Sequence, residues 1–113
     1  MGKPPLAEMQ SFALIGLLKN SASKRGAVVR EMCARWPDAP ALSIVFAISK
    51  AAGQVEEIIH EAPTDNGIAT SAYKLASILA VDIHAIENAG KNQVMARDLF
   101  EFWRNVDRWF LDI

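Results

Sequence analysis

The chain has 113 residues, 51% of them apolar and 22% charged, with a formal net charge of −1. That length suits one domain with a core of its own, and the composition excludes a disordered chain. A single cysteine, Cys33, excludes an intrachain disulfide and points to a reducing cytoplasm. No apolar run approaches the ~18 residues a membrane span needs.

The charge is unevenly spread. Residues 1–50 hold seven basic and three acidic side chains, whereas residues 51–113 hold five basic and ten acidic ones. A basic half beside an acidic half is one mark of a nucleic-acid face, and is also met as ordinary surface scatter.

Pro4-Pro5 precedes a helix predicted over Leu6 to Lys19. Leu6, Met9, Ala13, Gly16 and Leu17 share a stripe that Leu14, Ile15 and Leu18 widen almost all round, so this helix is expected deep in the fold or at an interface. Its run Phe12–Leu18 is read as helix core rather than as part of a signal peptide. Pro4, Pro5 and Glu8 stand before it, and no small-residue cleavage site follows.

A second helix is expected from about Arg25 to Trp36, with Val28, Val29, Met32 and Trp36 on one face. Pro37-Asp38-Ala39-Pro40 stops it. A third begins near Pro40, turns Ile44, Val45, Ile48 and Ala51 or Ala52 inward, and has Gly53 as its C-cap.

Residues 54–61 suit either more helix or a short strand. Asn66-Gly67 is a strong hairpin signal, and Ile68 to Lys74 is a strand-friendly mix. The expectation is a hairpin, 55–61 against 68–74, with an all-helical arrangement as the alternative. A further helix follows from Leu75 to Asn88, with Leu75, Ile78, Leu79, Ile83 and Ile86 inward and Gly90 as a stop. The last helix is expected over about Asn92 to Leu111. Met95, Leu99, Phe102, Val106, Trp109 and Ile113 recur at coiled-coil seam spacing, and Trp103 and Phe110 broaden the seam.

The order helix, helix, turn, helix, hairpin resembles the winged helix-turn-helix domain of bacterial transcription regulators, over about residues 6–75. Val29 to Trp36 resembles the first helix of the motif, Pro37 to Pro40 the turn, and Ala41 to Lys50 the recognition helix. Asn66-Gly67 resembles the wing tip, and Ala72-Tyr73-Lys74-Leu75 the return strand.

The resemblance implies a mainly α fold with one short β-hairpin: a winged-helix core at 6–75 and two C-terminal helices at 76–113, in a single domain. The alternative fold is an all-α bundle of five or six helices. The resemblance also implies a dimeric regulator that binds double-stranded DNA. Ala41, Ser43, Phe46, Ser49 and Lys50 would face bases, and Lys24, Arg25 and Arg30 would hold phosphates. The trailing helix would pair two subunits through Phe102, Trp103, Val106, Trp109 and Phe110, aromatics being favoured interface anchors. The alternative function is a non-catalytic protein-interaction module, of winged-helix or all-α fold, that binds no DNA.

No catalytic motif or cofactor signature stands out. The pairs Glu57/His60 and His84/Glu87 have the spacing of bundle metal ligands. At about 100° per residue they point away from the apolar stripes, so they are read as surface groups. Cys33, on an apolar helix face, is read as a small core residue.

Overall fold

The computed structural model describes residues 4–59 and 67–113. Among these residues there are five α-helices: α1 Leu6–Lys19, α2 Ala27–Arg35, α3 Ala41–Ile59, α4 Ile68–Asn88 and α5 Ala96–Asn105. A short 3-10 turn, Ala22–Lys24, joins α1 to α2.

The hairpin expected over 55–61 and 68–74 does not form. Among the described residues there is no strand, and the fold is the all-α alternative. The reason lies in a stripe that runs through the predicted break. Ile44, Ile48, Ala51, Ala52 and Val55 are all buried on one side of α3, so the period of 3.6 carries past Gly53 without interruption. After Gly67, Ala69, Ala72, Leu75, Ala76 and Leu79 make the matching stripe on α4. Burying two continuous stripes against each other outweighs the weak strand preference of Thr70, Ser71 and Tyr73. Gly67 does take the positive φ (70°) expected of it, but it opens a helix instead of a return strand. The expected wing tip at Asn66, and His60 of the Glu57/His60 pair, lie outside the described residues.

Gly53, expected as a C-cap, sits inside α3. A side chain there would stand 3.6 Å from the Tyr73 hydroxyl. Tyr73 of α4 thus passes beside α3 at Gly53, and its phenol is held above its ordinary pKa by hydrogen bonding to Glu56, reinforced by burial and by the Glu56 charge.

Helix α1 buries a narrower stripe than its composition suggested. Met9, Ala13 and Leu17 face the core, while Ile15 and Leu18 stay exposed. Helices α1 and α2 approach closely at Gly16, where an added Cβ would meet Val28 Cγ2 at 2.9 Å. Asn20 closes α1 by donating its side-chain amide to the Gly16 carbonyl at 2.7 Å. Helix α2 ends at Arg35, as Pro37 requires.

The turn after α2 is tied to the start of α5. Ala41 N–H donates to the Val94 carbonyl (2.9 Å), Ala96 N–H to Ala39 (2.8 Å) and Arg97 N–H to Pro37 (3.0 Å). Asp98 accepts the Met95 N–H at 2.8 Å, satisfying a donor that the first turn leaves unpaired. Partial burial pushes the Asp98 carboxyl up, but Met95 N–H, Lys91 and Arg97 outweigh it and hold it below the usual range.

Helix α5 is shorter than the expected Asn92–Leu111, and this is the second correction. It stops at Asn105, and the following residues turn back on the fold. Val106 and Asp107 N–H both donate to the Phe102 carbonyl, and the Asp107 carboxylate accepts the Trp109 N–H at 3.0 Å. Aspartate offers its own backbone this alternative to helix continuation. The turn carries Phe110 onto Trp103, ring centroids 5.0 Å apart. One cluster of buried side chains therefore runs from Met9 in α1 to Phe110.

Candidate interaction surfaces

The residues assigned to DNA fall in three settings. Lys24, Phe46 and Lys50 are exposed, and Ser49 is half-buried. Ser43 is buried. Arg25 and Arg30 are built into the fold. Arg25 is 6% exposed and donates to Ser71 Oγ at 3.1 Å. Arg30 donates to the carbonyls of Phe110 (3.1 Å), Leu111 (3.3 Å) and Ile113 (3.1 Å), so its guanidinium clamps the final turn. Ala41 is fully buried.

The five aromatic and apolar residues assigned to subunit pairing also separate. Trp103 and Phe110 have no exposed surface. A partner reaching this segment meets Phe102, Val106 and Trp109 instead. Val106 is 71% exposed and Trp109 45%.

Phe102 and Val106 face a groove of about 500 Å³ between the end of α4 and α5. Ala85, Ile86 and Ala89 form its α4 wall, and Asp98, Glu101 and Asn105 its α5 rim. Residues 98–106 at ~1.5 Å rise each give the groove a length of about 12 Å, or two helical turns. Lys91 pairs with Asp98 at 3.1 Å. With Asp98 and Glu101 against Lys91, the rim has one more acidic than basic side chain.

Trp109 lies on the opposite flank of the final turn. It borders a smaller pocket of about 280 Å³ whose other walls are the Ala22–Gly26 turn and the first turns of α4.

The core holds a polar contact that sequence reasoning missed. The Trp103 indole N–H donates to the Asp82 carboxylate at 3.0 Å, with both residues buried. Burial pushes the Asp82 carboxyl up. The Trp103 hydrogen bond opposes this, and the Asp107 charge adds to it. One signal was present: Asp82 falls three residues after Leu79, on the same inward stripe of α4.

Cys33 is fully buried, and burial pushes its thiol up to about 12. His84 is exposed and within hydrogen-bond reach of Asn88 at 3.1 Å. Among the described residues no three His, Cys, Asp or Glu side chains gather where they could hold a metal ion. None of the described helices is long and apolar enough to cross a membrane. No protein-family model, curated protein or solved structure matches the chain.

Proposed function

We propose that the protein is a non-catalytic helical interaction module whose α4–α5 groove receives an amphipathic helix from a partner protein. The observation that carries this is the groove itself. Phe102 and Val106 remain accessible there while Trp103 and Phe110, from the same segment, are fully buried. Helix-in-groove recognition needs an apolar trough about as long as the anchor spacing of two turns. The acidic rim at Glu101, in a chain half with ten acidic and five basic side chains, selects a partner helix with Lys or Arg flanks.

The test is a titration of isotope-labelled protein with a short helical peptide, leucines at helical spacing and lysines on the flanks, followed by NMR. Shifts are expected at Ala85–Ala89 and Phe102–Val106. Val106→Asp, at an exposed position, should abolish them, and a glutamate-flanked peptide should bind at least about tenfold more weakly. Absence of shifts in the groove, or indifference to Val106→Asp, overturns the reading. So does sedimentation as a dimer that Val106→Asp dissociates, because the groove's occupant is then a second copy.

A second reading, duplex DNA binding, has one observation in its favour. Helices α2 and α3 follow in helix-turn-helix order across Trp36–Pro40, with Lys24 and Lys50 exposed. It requires salt-sensitive binding of a duplex, and Lys50→Glu should weaken it.

A further inference from the structure

The pocket beside Trp109 has a chemistry of its own, independent of the groove. Its floor is Leu75 and Ile78 of α4, and Trp109 supplies an aromatic wall. Its polar side chains converge from two elements, Ser23 and Arg25 from the turn before α2 and Ser71 and Lys74 from α4, and Ile113 completes the lining. Among the described residues that line it, two side chains are cationic and none is acidic. An apolar cavity with a few convergent polar groups is the usual form of a small-molecule site, and about 280 Å³ lies just below the usual range, which suits a small ligand.

The walls are fixed before any ligand arrives. Arg25 and Ser71 hold each other at 3.1 Å across the two elements. The Trp109 ring meets Phe110 edge-on, centroids 4.9 Å apart and planes at 86°, and Phe110 is anchored in the core. The indole plane is thereby held while 45% of the residue stays exposed. Lys74 is exposed, and its ammonium is the mobile member of the set.

We propose that this pocket binds a small aromatic carboxylate. The ring lies against Trp109 over Leu75 and Ile78, and the carboxylate accepts from Lys74 and from the Ser71 hydroxyl that Arg25 positions. An aromatic body matches the indole wall, and a single negative charge matches the two cationic side chains, Arg25 and Lys74, among the described residues of the lining.

Benzoate is the probe, with benzamide as its neutral isostere. Followed by NMR, benzoate should shift Ser71, Lys74 and the Trp109 indole signal saturably, and benzamide should bind at least about tenfold more weakly. Lys74→Gln and Trp109→Leu change exposed side chains, and each should weaken benzoate about tenfold with little change in unfolding midpoint. Val106→Asp should leave benzoate binding untouched, which separates this site from the groove. No saturable shift up to about 10 mM benzoate overturns the proposal. Equal binding of benzamide, or benzoate binding that survives Lys74→Gln unchanged, overturns it as well.

Discussion

The contact between Asp82 and Trp103 shows what one residue decides in this core. A buried indole N–H without an acceptor costs ~1–3 kcal/mol, so Asp82→Ala should destabilise by about that amount in urea unfolding. Asp82→Asn keeps an acceptor and removes the charge. The folded state raises the Asp82 pKa above the ordinary 3.8, chiefly through burial. The folded protein therefore holds that proton where the unfolded chain has released it. The resulting stabilisation is complete below 3.8 and is lost as pH rises through the folded value. Asp82→Asn should accordingly be at least as stable as wild type at neutral pH, and the difference should shrink on acidification. A variant less stable than wild type at pH 7 would show that the charged carboxylate earns its place through geometry that an amide cannot match.

At the scale of elements, the final turn is tied to α2 as well as to α5. Arg30 Nη1 shares its two hydrogens among the carbonyls of Phe110, Leu111 and Ile113. Hydrogen bonds from a charged donor contribute ~1.5–3 kcal/mol, and three on one guanidinium are not additive. Arg30→Ala should cost roughly 2–3 kcal/mol and open the segment after Asn105 to limited proteolysis before the rest of the fold. Protection of that segment unchanged from wild type would refute the clamp. A basic side chain at the edge of a helix-turn-helix pattern suits a phosphate contact and a carbonyl clamp alike, and the clamp becomes visible only with the return of residues 106–113.

On the scale of the whole molecule, one buried cluster links α1 to the final turn, with Cys33 fully inside it. A thiol with a pKa near 12 is almost wholly protonated at neutral pH and has no path to reagent. Its modification by a thiol reagent should need global opening. The free energy from labelling rates should then agree with that from denaturant, and fast labelling under native conditions would reveal a local opening of α2.

The sequence by itself determined the helical stripes, the stop at Pro37, the inward Cys33 and the outward His84. Each follows from neighbours three or four residues away or from the geometry of one side chain. It also contained the stripe that continues through Gly53 and resumes after Gly67, but Asn66-Gly67 and Thr70–Tyr73 carried an opposing local signal. Long-range burial of α3 against α4 settled that conflict in favour of helix. Only the tertiary structure decided the fate of the C-terminal aromatics. A seam at spacing 4, 3, 4 is equally served by a partner chain or by the chain's own core, and here Asp107 breaks the helix so that Phe110 folds back onto Trp103. The groove and the pocket exist only because that turn leaves Phe102 and Val106 on one side and Trp109 on the other. Their walls come from α4 and from the turn before α2, segments far apart in the chain, whose packing no local pattern encodes.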